Sequence, residues 1–307
     1  MLRILHHLTH GLGDAVQFTS VLRHLRKYRT DWHNHVVALL GKHSAYRNLA
    51  DSYAHFDQPG HSAGVWYHAF YHGWFDYLGC HERYPSTKVV RCLIHELASE
   101  PDPELLSYQI DVGPEARARV DSYLSCLPLG DKAGFVVIHY QGNTSPPEKN
   151  LCHPDVATLC AFLIDRGYLP MILDWDRRSP LPDNRRIFSP GVDHPLWRGW
   201  GTGDAETIAA LIDRSALFVG IDSGPQKVAM SRTVPSIGVW TMLHPVNYAD
   251  LCPTMLHMVP RESWKWIKGP RGVGWDYFRA SYNHYEYDSL GRELCEVVAR
   301  RLADRRR

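Results

Sequence analysis

No apolar run in this 307-residue chain approaches the ~20 residues of a membrane-spanning helix, so no transmembrane segment is expected. An excess of charge is also missing. Lys and Arg number 34 and Asp and Glu 33, for a net charge of +1. That gives no support for a partner held through bulk charge, and no nucleic-acid partner is expected. Paired cysteines are absent. Cys80, Cys92, Cys126, Cys152, Cys160, Cys252 and Cys295 contain no C-x-x-C pair and are odd in number. In a chain of this size they read as reduced thiols of a cytoplasmic protein. The 19 histidines offer no H-E-x-x-H and no H-x-x-x-H pair on a convincing helix, so no metal is expected. Residues 1–8 are too short for a signal peptide and run straight into a motif. Repeats and low-complexity segments are lacking too.

What is present is an alternation of short apolar runs with amphipathic stretches, in a chain 44% hydrophobic and 22% charged, which is globular composition. Leu2 to Leu8 reads as a strand and Thr9 to Asp14 as a glycine-containing turn. Residues 15–29 read as a helix with Phe18, Val21, Leu22 and Leu25 on one face. A strand at Val36–Leu40, a helix from Ser44 to Ala50, a helix through Val90, Leu93, Ile94 and Leu97, a strand at Tyr108–Val112 and a helix from Gly113 follow. Residues 53–84 are dense in Tyr, His and Trp. Such rings suit stacking on sugars or bases, but core under a long loop is the commoner use.

Residues 128–134 carry Pro and Gly and read as a linker. The pattern then restarts, with strands at Phe135–His139, Tyr168–Leu173, Ala216–Ile221 and Val234–Trp240 and helices at Pro154–Asp165 and Asp204–Ile212. Residues 179–203 read as loop with a short strand near Ile187, residues 241–280 as irregular, and 287–304 as a final helix. The expected architecture is α/β: two facing Rossmann-like domains with an interdomain cleft. The divisions are 1–130, 131–285 and a closing helix in 286–307.

The most informative stretch is Phe218 to Ala229. A buried strand runs through Asp222-Ser223-Gly224-Pro225-Gln226 directly into a helix carrying Lys227 in its first turn. Free N–H groups at a helix start suit a phosphate, and a cation there opposes the helix dipole unless an anion lies beside it. A second turn, Gly11-Leu12-Gly13-Asp14, ends the first strand. Asp14 fits an ordinary N-cap. It also fits the edge where ligands of open α/β sheets gather. A nicotinamide site is disfavoured: the third glycine of G-x-G-x-x-G falls at Val16, and strand two ends in Leu39-Leu40-Gly41-Lys42, without an acid.

In order and spacing, Gly13-Asp14-Ala15-Val16-Gln17-Phe18-Thr19, the loop after Phe135–His139 with Lys149, and Asp222 to Ala229 followed by Val234 to Val239 resemble the ADP-heptose:lipopolysaccharide heptosyltransferase family. These are family 9 glycosyltransferases of the GT-B fold. Lys227 stands where that family usually has His, and Asn150 follows Lys149 in place of its tryptophan. The resemblance implies an inverting glycosyltransferase, with Asp14 as the base that deprotonates an acceptor hydroxyl and Gly11 and Gly13 as the turn beside it. Thr144, Ser145, Lys149, Asp222, Ser223, Gly224, Pro225, Gln226 and Lys227 would hold the donor diphosphate, and Asp176 its ribose. It implies a nucleotide-diphosphate sugar as substrate, an ADP-sugar first, and lysines in the place of a metal. No separate cofactor is expected, the partners are the donor and a hydroxyl-bearing acceptor such as a carbohydrate, and peripheral membrane contact is allowed. The alternative is a non-catalytic nucleotide-sugar-binding protein that kept the cleft.

Overall fold

The structure, a computed structural model, describes residues 1–60, 64, 66, 68–72, 84, 87–142, 147–174, 178–189, 204–262 and 273–304. Its strands form two separate sheets, both wholly parallel. The first joins β1 (Leu2–Leu8), β2 (Trp32–Ala38), β3 (Ser52–His55) and β4 (His68–Tyr71) in the order β3-β2-β1-β4. The second joins β5 (Gly134–His139), β6 (Tyr168–Ile172), β7 (Leu217–Ile221), β8 (Ser236–Val239), β9 (Met255–Pro260) and β10 (His284–Tyr287) in the order β10-β9-β8-β7-β5-β6. β6, β7 and β8 are buried at every residue. That is why they read as continuous apolar runs without alternation: helices cover both faces of a parallel sheet.

The helices are α1 (Leu12–Tyr28), α2 (Thr87–Arg91), α3 (Pro114–Ser125), α4 (His153–Asp165), α5 (Ala205–Arg214), α6 (Gly224–Met230), α7 (Val273–Ser281) and α8 (Leu290–Asp304). α1 packs on α6, α3 on α5, and α4 on α8. The first two of these contacts join one sheet's layer to the other's. α1 is accordingly buried all round from Ala15 to Leu22, and Val16, Phe18, Val21, Leu22 and Leu25 are at 1% exposure or less. One apolar core runs from Leu8 and Phe18 through Leu211 and Phe218 to Trp240, and a second lies between β5–β8 and the α4/α8 pair.

The largest departures from the sequence reading lie in residues 241–287, where β9, α7 and β10 extend a sheet that the pattern ended at β8. β10 mixes polar and aromatic residues, His284-Tyr285-Glu286-Tyr287, at the sheet edge, and the inner strand β9 has its short apolar run broken by His257 and closed by Pro260. Tyr108–Val112 forms no strand; its backbone is satisfied by single bonds such as Tyr108 N–H to Asp250 Oδ2 (2.9 Å) and Gln109 N–H to Thr19 Oγ1 (3.1 Å). The expected helix at 44–50 is one 3-10 turn, His43–Tyr46, ended by Asn48 at φ 60°. α2 passes into a π-turn, Cys92–Glu96. As expected, Asp204 caps α5, accepting the Thr207 N–H at 3.2 Å. Phe70 and His72 stack on His6 (centroids 5.7 and 5.4 Å apart), so this described part of the aromatic segment is core.

Candidate functional site

Each sheet reverses its order at one strand: β1 lies between β2 and β4, and β5 between β6 and β7. Ligands of open α/β sheets bind beyond the C-terminal ends of strands at such points. Here the two ends face one another across a cleft of about 270 Å³. The turn after β1 supplies Gly11, Leu12, Gly13 and Asp14, and the turn after β7 supplies Asp222, Ser223, Gly224, Pro225 and Lys227. The two turns nearly touch. A Cβ added to Gly224 would stand 2.6 Å from Leu12 Cβ, and one on Gly13 would stand 3.4 Å from Lys227 Cγ. Glycine at 224 is therefore needed for approach of α1 to α6.

On one wall, Asp14 Oδ1 accepts a hydrogen bond from Lys88 Nζ at 2.8 Å, with the two side chains 20% and 12% exposed. Its Oδ2 lies on the Gly11 side, 3.7 Å from where a Cβ at that glycine would stand. On the other wall, Asp222 accepts from Lys227 Nζ at 2.7 Å and from Lys149 Nζ at 3.0 Å. Burial alone would raise the Asp222 carboxyl, but the two ammonium groups outweigh it and hold the pKa at about 2. Lys227 is itself enclosed: its ammonium also donates to Gln226 Oε1 at 3.0 Å and lies 4.6 Å from the Trp240 ring centre. Burial pulls its pKa down, with Asp222 opposing. Lys149 is the more open of the pair, 21% exposed against 3%.

Sequence reasoning did not single out Gln17, Lys42, Lys88, His139 or Tyr248, all of which line the same cleft. Lys42 donates to His10 O at 3.3 Å, and burial lowers its pKa. Burial holds His139 neutral with a pKa pushed down to about 4, and its Nδ1 is 2.9 Å from Ser223 Oγ. Burial first, then the Asp222 and Asp14 charges, push the Tyr248 phenol up to about 12, so it keeps its proton. Four lysines against two aspartates leave the described lining a formal balance of +2, on a chain that is nearly neutral as a whole. Local concentration of one sign raises the potential in a cleft in a way that net charge does not reveal.

Of the expected site residues, Gly11, Gly13, Asp14, Lys149, Asp222, Ser223, Gly224, Pro225 and Lys227 come together in this cleft. Gln226 does not line the cleft: its buried amide stands behind Lys227, with Nε2 donating to Gly220 O at 3.4 Å and Oε1 accepting from the Lys227 ammonium. Thr144, Ser145 and Asp176 lie outside the described residues. α6 is seven residues long and wholly buried from Pro225 onward, so its dipole is small and the positive charge of the site rests on lysine side chains.

No family model matches the sequence, and no curated protein does. Solved structures do resemble it. A family 9 glycosyltransferase from Veillonella parvula is 16% identical with a TM-score of 0.64, over 98% of this chain and 97% of that one. The ADP-heptose lipopolysaccharide heptosyltransferase II of E. coli is 14% identical with a TM-score of 0.68, over the full length of both chains. The dodecameric iron-containing heptosyltransferase TibC, solved with ADP-D-beta-D-heptose, is 12% identical with a TM-score of 0.58, over 99% of this chain and 77% of that one. The likeness establishes the fold: the chain has the GT-B-type architecture of two facing Rossmann-like layers, as the sequence motifs implied.

Proposed function

We propose that the chain is an inverting glycosyltransferase, moving a sugar from a nucleoside-diphosphate donor to an acceptor hydroxyl. The observation that carries this reading is the division of labour across one cleft. A partly open carboxylate, Asp14, stands on the wall after β1, and the Asp222–Lys149–Lys227 cluster stands on the wall after β7. Sugar transfer with inversion asks for these two functions on opposite sides of the anomeric carbon. The acceptor oxygen attacks that carbon while Asp14 Oδ2 takes its proton. The bond to the diphosphate breaks, and the departing negative charge meets Lys149 first, with Lys227 behind it. Asp222 keeps both ammonium groups in place before the donor arrives. Lys88 orients Asp14, and the positive charge for the leaving group comes from lysines.

The resemblance of motifs and fold makes an ADP-sugar, with a heptose as its sugar, the first donor to try. A cytoplasmic setting agrees with the six described cysteines, all free thiols, and no described helix is long and apolar enough to cross a membrane.

The test is release of nucleoside diphosphate from ADP-, UDP- and GDP-sugars with and without sugar acceptors. One donor should turn over. Asp14→Asn should cut that turnover ~100-fold to 10,000-fold, the range for loss of a general base, while donor affinity stays within a few fold. Tight donor binding by the native chain with no turnover under any acceptor would leave a nucleotide-sugar-binding protein instead.

A further inference from the structure

A second group of chemically active side chains lies outside the cleft. His72 follows directly on β4, and Cys92 and Glu96 are the first and last residues of the π-turn that continues α2. Cys92 Sγ is 3.8 Å from His72 Nδ1 and 3.4 Å from Glu96 Oε2, and Nδ1 and Oε2 are in direct hydrogen-bond contact. One nitrogen, one sulfur and one oxygen thus converge within 4.8 Å of one another. His72 and Cys92 are buried, whereas Glu96 keeps 18% of its side chain exposed and gives the group a path to solvent.

The surroundings aim these atoms. His72 Nε2 is 3.1 Å from His6 Nδ1, and His6 Nε2 is 3.0 Å from Asn34 Oδ1, so the far side of the His72 ring is fixed by a buried chain. Histidines that bind metals are oriented in this way through their second nitrogen. The π-turn, closed by Leu97 N–H to Cys92 O at 3.1 Å, is a rare backbone form found chiefly at functional positions. It sets Cys92 and Glu96 on the side that meets His72.

We propose that His72 Nδ1, Cys92 Sγ and Glu96 Oε2 form a three-ligand site for a thiophilic divalent cation, Zn2+, with water in the fourth position. An ion ~2.3 Å from sulfur and ~2.1 Å from nitrogen and oxygen separates tetrahedral ligand atoms by about 3.3–3.6 Å. Of the two distances to sulfur, 3.4 Å lies within that spacing and 3.8 Å just above it, so the ion enters if the Nδ1–Oε2 contact opens and His72 draws slightly nearer the sulfur. Binding replaces the Cys92 thiol proton by a sulfur–metal bond and displaces the proton shared by His72 Nδ1 and Glu96 Oε2, and both protons go to solvent. None of the three residues lines the cleft, so the ion is structural: it ties the α2 turn to β4. Lys88 lies one turn ahead of Cys92 on that element and reaches Asp14, which links the ion to the position of the cleft's carboxylate. The sequence points to no metal here because the ligands follow no motif; His72 and Cys92 are twenty positions apart.

The experiment is titration of the full chain with Co2+ after chelator treatment, followed by displacement with Zn2+. A thiolate-to-cobalt charge-transfer band with tetrahedral d–d bands should saturate at one equivalent, and Zn2+ should abolish it and raise the melting temperature. Cys92→Ala should lose the charge-transfer band, Glu96→Gln should weaken Zn2+ binding tenfold or more, and Cys126→Ser should change neither. Should Cys92→Ala not fold, Glu96→Gln decides alone, since Glu96 is partly exposed. A folded native chain with no thiolate–cobalt band, a band that survives in Cys92→Ala, or unaltered Zn2+ affinity in Glu96→Gln would each overturn the site.

Discussion

Asp222 shows how one buried carboxylate organises the charge of the candidate site. Its folded pKa of about 2 lies below the ordinary 3.8, so its contribution to stability is complete above about 3.8 and is lost as pH falls towards 2. Stability should therefore drop over that acid range in the native chain, and less so in Asp222→Asn, as read by urea unfolding at stepped pH. The two lysines that share it should separate cleanly. Lys227 is almost fully enclosed, so Lys227→Ala leaves Asp222 buried with half its compensation and should cost about 3 kcal/mol by chemical denaturation. Lys149 is more open, and Lys149→Ala should cost ~1 kcal/mol or less while weakening nucleoside-diphosphate binding at least tenfold. Equal stability losses in the two variants would show that Lys149 is as structural as Lys227.

At the scale of elements, the junction of α1 with α6 sets the width of the cleft. Gly224→Ala would drive a Cβ to 2.6 Å from Leu12 Cβ, and neither backbone can give way without separating the two helices. Overpacking of this kind costs about 1–3 kcal/mol, so its melting temperature should fall, while Gly130→Ala, with nothing within 4 Å, should melt as the native chain does. A second junction turns on Asp250, which accepts the Tyr108 and Cys252 N–H groups. Burial pushes its carboxyl up to about 7 against those bonds. Here the sign is opposite to that of Asp222. Between about 4 and 7 the folded chain holds a proton that the unfolded chain has released, so stability declines as pH rises through that range. Melting curves across it should show the decline, and Asp250→Asn should flatten it.

These elements also show what a sequence can carry. β1, α1, β5, α4, β7 and α6 were legible because each is buried in a way that writes an apolar run or a helical stripe into the chain, and Gly224 because a turn this close admits no side chain. β10 was not, because an edge strand carries polar and aromatic residues; nor was β9, an inner strand whose apolar run is broken by His257 and closed by Pro260, and α7 lies in an aromatic stretch. Lys88 and Tyr248 reach the cleft from elements distant in sequence, through contacts with Asp14 and with each other (5.5 Å from ammonium to ring centre). No local pattern announces a residue whose role is set by such long-range packing.

At the scale of the whole molecule, two parallel sheets present their switch points to a common cleft, and a nearly neutral chain gathers four lysines there. That concentration is the physical basis for expecting a diphosphate, and it makes the nucleotide the most direct probe of the account. Calorimetric titration of the native chain and of Lys149→Ala with ADP, UDP, GDP and NAD comes first. Selective binding of one nucleoside diphosphate, lost or much weakened in Lys149→Ala, is the predicted result. Binding of NAD alone, or of no nucleotide by a folded protein, would contradict the glycosyltransferase reading.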